Sequence, residues 1–434
     1  NYNVELFTRM SKSLGLFIEL FDEETKMVEK LIEFVGIYDP DILSGYEVNS
    51  MSWGYVVERF REVYQLNIMS KLSRGTHRSN GKLGDRWGYT HTANIEINGR
   101  HILNVWRILK SEMALTSYTL ENVCYHLLHR PLPRYLLHQI SQWLQSGRFK
   151  DIQVALSYYM KRIELTLKII SVQELITRNV EHSRLIGIEF NSNFYRGSQY
   201  KVESILSRIS KLESILLNSP SKVQVHEMRP IECIPLILEP KSNFYKSPLV
   251  VLDFQSLYPS IMIAYNYCYS TLIGKLHNFK PKKNNIGYLK NLNLPPGIVD
   301  LLMEDDAVNI SPNGFAFVKS HVRKSILAKM LEEILNIRLK TKSVMKLFKD
   351  DTELTKLYNA RQIALKLIAN VTYGYTSATF SGRMPNSDIA DAIVSTGREV
   401  LDKSIEMIEA GGYGAKVVYG DTDSLLSLIH ISEP

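Results

Sequence analysis

Three aspartates carry the clearest chemistry in this 434-residue sequence. Asp253 closes a short apolar run, LVVLDF, and Asp421 and Asp423 stand one residue apart in AKVVYGDTDSLLSL. Side chains at i and i+2 of an extended chain point to one face. If a hairpin carrying the pair lies beside the Asp253 strand, three carboxylates converge. Like charges held together resist ionisation unless a cation joins them. Mg²⁺ suits such a place, because it takes one or two carboxylates and completes its shell with water and phosphate oxygens. The chemistry predicted is phosphoryl transfer by two metals about 3.5–4 Å apart. An isolated Asp-x-Asp, by contrast, is more often a polar turn.

Other residues extend that pattern. In DFQSLYPSI (253–261) a Ser-Leu-Tyr turn follows the strand acid. Its backbone N–H groups could bind phosphate and Tyr258 could floor a sugar pocket; the plainer alternative is a capped strand. Two long helical patterns follow, at about 322–349 and 353–374. In the first, Leu327, Met330, Leu331 and Ile334 keep helical apolar spacing, while Arg338, Lys342, Lys346 and Lys349 share a face. In the second, Gln362, Lys366, Asn370 and Tyr373 share a face backed by Ile363 and Leu367, and Gly374 fits a helix C-terminus. Residues 321–350 carry eight Lys/Arg and three Asp/Glu. Such faces offer charge-assisted hydrogen bonds to a triphosphate; read alone, they are equally two solvated amphipathic helices.

The elements that must position these groups are legible in outline. LVVLDF reads as a buried strand and 415–428 as a hairpin. MVEKLIEFVGIYDPDILSGY reads as a helix, a turn at Asp39-Pro40 and a short strand. Residues 95–109 read as strand–turn–strand about Asn98-Gly99. Residues 135–180 are helical by period, 193–204 form a connector entering a helix, and the polar stretch 276–320 reads as an irregular excursion.

Composition sets the outer bounds. The chain is 45% apolar and 22% charged, with 52 Lys/Arg against 45 Asp/Glu and a net charge of +7. That excludes collagen-like, low-complexity and largely disordered classes, and the basic balance leans towards an anionic partner such as nucleic acid. No uncharged apolar run reaches 18 residues, so no membrane-spanning helix is expected, and the start does not read as a signal peptide. Cys124, Cys233 and Cys268 match no disulfide framework and no zinc or iron–sulfur spacing, which fits a reducing compartment.

The motifs themselves resemble a known family. DFQSLYPSI resembles motif A of the family B DNA polymerases, KLIANVTYG (366–374) is similar to motif B, and YGDTDS (419–424) to motif C, in the family's order and spacing. RGSQYKVES, SPNGFAFVKSHVRK and ARQIALKLIANVTYGYTSATFSGRMP extend the resemblance from about residue 20 to residue 426, most closely to a translesion-synthesis branch. The resemblance implies an α/β fold: an RNase H-like exonuclease-type domain (1–190, inactive and without its first motif) and a linker (191–247). A first part of the palm follows (248–320), then two-helix fingers (321–376), a second part of the palm (377–426) and a tail unlike the family (427–434), with the thumb absent.

It also implies roles. Asp253, Asp423 and the Phe254 carbonyl match the ligands of two Mg²⁺ ions, and Asp421 matches an auxiliary acid. Ser256, Leu257 and Tyr258 match the turn that binds triphosphate and sugar, with Tyr258 the steric gate against a 2′-hydroxyl. Arg338, Lys342, Lys366 and Asn370 match phosphate-holding fingers residues. Tyr195, Arg196 and Gly197, with Tyr419 and Gly420, match positions that contact DNA. The partners implied are primer–template DNA and deoxynucleoside triphosphates. A HORMA-domain accessory subunit and the accessory subunits of polymerase delta would bind regions outside this chain. An iron–sulfur cluster is expected only in a C-terminal region that this chain lacks. The expected location is the nucleus, with no membrane.

Departures from the family pattern are as telling. SGYEVNSMSWGYVVERF (44–60) resembles the second exonuclease motif, yet Ser52 stands where the family has a metal-binding Asp. Asn122 of Tyr118-x-x-x-Asn122 replaces the Asp of the third motif, and Asn104 is uncharged. Without those acids the domain cannot hold two metals, so no 3′–5′ proofreading is expected. The alternatives are a replicative or viral family B polymerase that proofreads, or a non-catalytic DNA-binding relic. The 434-residue chain by itself is expected to be nearly inactive.

Overall fold

Asp39 adopts a left-handed conformation (φ 42°) at the end of helix α1 (Glu24–Tyr38), and so turns the chain into strand β1 (Ile42–Gly45). The helix, turn and strand are those expected. In the computed structural model, residues 4–75, 95, 97–276, 284–292, 294–378 and 382–429 are described. Two compact units result: residues 1–179 with 190–195, and residues 180–189 with 196–434.

In the first unit β1 pairs in parallel with β2 (His101–Asn104). Helix α2 (Trp53–Tyr64) packs Phe60 into a core with Val28, Val48, Ile68 and Ile102. The expected second strand around Asn98-Gly99 lasts four residues. From Val105 the chain is instead helix α3 (Val105–Glu112), because the Asn104 side chain accepts the Arg107 N–H and caps it. Helices α4 (Leu120–Leu128) and α5 (Phe149–Val172) bury Val123, Cys124, Leu165 and Ile169 against Leu103 and Leu109. The helical reading of 135–180 holds across Leu137–Gln145, α5 and the first part of Leu175–Ile186.

In the second unit, helix α6 (Ser198–Leu212) follows the expected connector, and strand β3 (Leu249–Asp253) precedes helix α7 (Leu257–Ala264). β3 is not the buried strand expected: Val251 is 64% exposed, and β3 is the edge of a three-stranded sheet whose centre is β10 (Ser424–Ile429) and whose other edge is β9 (Ala415–Asp421). The stretch expected to be irregular contains β4 (Leu272–Lys275), β5 (Asn284–Ile286), β6 (Leu289–Leu292), β7 (Val308–Ile310) and β8 (Phe315–Val318). A helix, Ile298–Glu304, lies among them. Gly287, at φ 55°, allows the two-residue turn between β5 and β6. The polar residues there mask three buried side chains, Phe315, Ala316 and Phe317, on β8.

Helices α8 (Ile326–Leu347) and α9 (Thr352–Ser377) match the two long patterns and pack on one another. Leu327, Met330, Leu331 and Ile334 are buried as their spacing predicts. Three details differ. Lys349 lies beyond the end of α8. Ile363 and Leu367 are exposed, whereas Ala364, Leu365, Ile368 and Ala369 make the buried face of α9. Gly374 does not end α9, which runs on because Tyr375 and Thr376 are buried in the core. Helix α10 (Ser387–Ala410) buries Ile389 and Ile393 against Leu257, Ile261 and Met262, and leads into β9 (Ala415–Asp421) and β10 (Ser424–Ile429). β10 continues past Leu426, pairing Ser427 and Leu428 with both neighbours. Among the described residues no helix is long and apolar enough to cross a membrane.

Candidate active site

β10 is the central strand, and its first residue aligns the acids. Ser424 pairs with Asp253 on one side and with Asp421 on the other. The Phe254 N–H donates to the Asp423 carbonyl at 2.8 Å, tying the end of β3 to the hairpin turn. Within that turn Thr422 is left-handed (φ 54°), and its hydroxyl donates to Asp421 Oδ1 at 2.9 Å. The hairpin predicted from 415–428 is thus present, and the register brings the three aspartates to one end of one sheet.

The electrostatics follow from that placement. Partial burial, then the neighbouring Asp253 and Asp421 carboxylates, push the Asp423 carboxyl above its ordinary range. Among the described residues, no three His, Cys, Asp or Glu side chains are grouped to hold a metal ion. The oxygen atoms that the register gathers at this end of the sheet include the Asp253 and Asp423 carboxylates and the carbonyl of Phe254, the residue after Asp253. Hard oxygen donors that repel one another suit Mg²⁺, which needs only one or two carboxylates from a protein.

The turn after β3 supplies the next shell of groups. Ser256 is left-handed (φ 55°) and precedes α7 without capping it, so the first N–H groups of that helix receive no side-chain cap. Leu257 is buried in the core, which fixes the start of the helix. Tyr258 packs on Tyr373 of α9 with ring centroids 4.7 Å apart and planes tilted by 51°. Burial, with Tyr373, Asp423 and Asp421 nearby, pushes the Tyr258 phenol up to about 12. The structure therefore joins the segments of all three sequence motifs.

The basic candidates are less uniform than their spacing suggests. Arg338 is 9% exposed, and its buried Nε has no hydrogen-bond partner among the described residues. Lys366 and Asn370 are exposed on α9, and Lys342 is intermediate on α8. Gly420 is required by close approach: a Cβ there would meet Leu425 Cδ2 at 2.8 Å and Leu238 Cδ1 at 3.2 Å. Tyr419 precedes it on β9. Tyr195 falls in the first unit, where its hydroxyl donates to the Ile102 carbonyl at 3.3 Å. Arg196 and Gly197 fall in the second, with the Arg196 guanidinium over the Tyr200 ring at 5.5 Å.

Sequence reading missed the support behind the hairpin. Leu238 N–H donates to the Gly420 carbonyl at 2.8 Å, and Thr422 N–H donates to the Leu236 carbonyl at 2.9 Å. The chain just before it, at 229–233, is held by Asp391 of α10, 1% exposed. Its carboxylate accepts from the Glu232 N–H (3.0 Å), the Cys233 N–H (2.9 Å) and Arg229 (2.8 Å). The only hint was a pair of acids, Asp388 and Asp391, on an otherwise apolar helical face.

Residues 188–433 match DNA polymerase family B, and residues 2–123 match the exonuclease domain of that family. The chain belongs to DNA polymerase family B. It is 49% identical over 411 residues to the DNA polymerase zeta catalytic subunit of Saccharomyces cerevisiae, covering 94% of this chain and 27% of that protein. It is 40% identical over 433 residues to the Homo sapiens zeta catalytic subunit, covering 99% of this chain and 14% of that one. Similarity to the DNA polymerase delta catalytic subunit of Oryza sativa subsp. japonica is 31% over 441 residues, covering 99% and 38%. The chain thus spans 27% or less of the length of these two zeta relatives.

Within the family B exonuclease-type domain, Ser52, Asn122 and Asn104 each make local hydrogen bonds. Ser52 is left-handed (φ 55°) and donates to the Glu47 carbonyl at 3.3 Å. Asn122 donates to the Ser117 carbonyl at 2.6 Å. Asn104 caps α3 and donates to Glu47 Oε1 at 3.3 Å. Burial would raise the Glu47 carboxyl, but hydrogen bonds from Ser50, Asn49 and Asn104 outweigh it and hold it below the ordinary range.

Proposed function

We propose that this chain carries the nucleotidyl-transfer core of a translesion-type DNA polymerase without proofreading. The observation that supports it most is the register that sets Asp253 and Asp421 against Ser424, with Asp423 tied to Phe254. Asp253, Asp423 and the Phe254 carbonyl would hold Mg²⁺, which lowers the pKa of the primer 3′-hydroxyl and neutralises charge on the triphosphate. The uncapped N–H groups of α7, after Ser256, meet the triphosphate tail. Arg338, Lys342, Lys366 and Asn370 add donors to its oxygens. Tyr258 occupies the space of a 2′-hydroxyl and so selects deoxyribose. Tyr195, Arg196, Gly197, Tyr419 and Gly420 contact the primer–template, mostly through phosphates, so binding weakens steeply with salt.

The translesion reading over a proofreading polymerase rests on Ser52, Asn104 and Asn122, none of which can replace a metal-binding carboxylate. Nuclear location and the accessory subunits belong to the whole protein, as would an iron–sulfur cluster. The test is metal-dependent extension of a labelled primer by the full-length polymerase, scored for synthesis and for 3′ shortening together. Mg²⁺-dependent extension without shortening is expected; no extension at all would overturn the reading.

A further inference from the structure

Tyr258 is confined on two sides. One is Tyr373 of α9, described above. The other is Gly397, a buried residue in the middle of α10. A Cβ at position 397 would lie 3.2 Å from Tyr258 Cε1, against 3.6 Å from Ile261 Cδ1 and 3.8 Å from Leu257 Cδ2. The first contact is tighter than an ordinary packing distance, so the ring would have to give by a few tenths of an ångström. It does not have free space on every side: Tyr373 stands 4.7 Å away between centroids. The Asp421 and Asp423 carboxylates are near enough to act on its hydroxyl.

Nothing in the helix itself asks for glycine here. No positive φ is involved, and glycine in a helix interior costs about 1 kcal/mol relative to alanine. The backbone therefore gives up stability at a position where α10 lies against the Tyr258 ring. We propose that Gly397 is a specificity-determining position. By leaving out a side chain it lets the Tyr258 ring seat back against α10, and this seating sets the clearance for the sugar of the incoming nucleotide. The inference rests on the reading of Tyr258 as the sugar gate and deepens it. A methyl group at 397 pushes the ring off α10 and so narrows the clearance for the sugar.

The test is a double-mutant cycle in the full-length polymerase, with kcat/KM measured for a deoxynucleotide and its ribonucleotide counterpart. Gly397→Ala is expected to raise KM for the deoxynucleotide roughly 10-fold, the low end of what one methyl group is worth in a pocket. It should lower use of the ribonucleotide further still, so that discrimination increases. In a Tyr258→Ala background the same substitution should change neither value, because the ring it displaces is gone. A merely structural glycine would give the same effect in both backgrounds, which would overturn the proposal. So would an unchanged deoxynucleotide KM in Gly397→Ala while Tyr258→Ala relaxes discrimination; the gate reading would then survive alone. Unchanged discrimination in Tyr258→Ala would instead remove the gate reading and this inference with it. Should Gly397→Ala fold poorly, Gly397→Ala with Ile261→Val, which removes the Cδ1 facing position 397, is read by the same criteria.

Discussion

The Phe254 N–H donates to the Asp423 carbonyl at 2.8 Å, so two acids 170 positions apart in sequence are locked at the level of the backbone. Their carboxylates then repel one another in a partly buried place, and it is this enforced proximity that a cation relieves. In the full-length polymerase, Asp423→Ala should reduce primer extension by at least about 10³-fold, on the scale of losing a principal electrostatic group. Primer–template affinity should change little, since basic surfaces hold the DNA. Gel-shift and single-turnover extension on one preparation decide it; substantial Mg²⁺-dependent synthesis by the variant would remove Asp423 from the metal-binding role.

A pH dependence follows from the same residue. Burial and the neighbouring acids raise the Asp423 carboxyl above its ordinary range, so it gives up its proton less readily than a free aspartate. The sign for stability is that of a raised acid. Its contribution is fully present below the ordinary aspartate range and is lost as pH rises through the raised value. Mg²⁺ binding must displace that proton, so apparent Mg²⁺ affinity should fall as pH falls towards the raised value. Magnesium titrations of extension rate at several pH values should show this shift in Asp423 enzyme. A pH-independent magnesium midpoint would show that Asp423 is ionised throughout.

Asp391 should matter beyond its own neighbourhood. It holds Arg229 and two backbone N–H groups, and the chain that follows reaches Leu236 and Leu238, which bond to the hairpin of Asp421 and Asp423. Asp391→Ala should cost about 3 kcal/mol in denaturant unfolding, because it leaves Arg229 without one partner and two N–H groups unsatisfied. Asp391→Asn, which keeps an acceptor, should recover part of that. In extension assays the Ala variant should lose kcat more than deoxynucleotide KM, since the acids move while the nucleotide-binding helices do not. Equal losses in both would mean that the clamp only stabilises the fold.

Sequence alone revealed what local chemistry and period control. The two basic helices, the turn at Asp39 and the Asp421–Asp423 hairpin were all legible, because each depends on neighbours in the chain. What escaped it depends on distant partners. Asp391 meets Arg229 across 162 positions, and no local pattern announces such a pair. LVVLDF looks buried because it is continuously apolar, yet it forms a sheet edge with Val251 exposed. Gly374 looks like a helix end, but Tyr375 and Thr376 are buried and carry the helix three residues further. The small strands between 272 and 318 are masked by polar residues, and Asp388 helps fix them by accepting the Gly287 N–H at 2.7 Å.

The exonuclease-type domain gives the final prediction. Asn104 does two jobs that an aspartate could only half perform: it caps α3 through its oxygen and donates to Glu47 through its nitrogen. Asn104→Asp would keep the cap but set a second carboxylate against Glu47 at about the same distance, losing a donor and adding like-charge repulsion. The variant should be less stable by about 1–3 kcal/mol. Added Mg²⁺ should not restore it, because Ser52 and Asn122 supply no further carboxylates to complete two metal sites. Thermal unfolding with and without Mg²⁺ measures this directly. On a labelled mismatched primer, neither the parent enzyme nor Asn104→Asp should shorten the 3′ end. Mg²⁺-dependent shortening by a clean parent preparation, lost on mutation within residues 44–125, would show that this domain digests DNA by groups other than the missing acids.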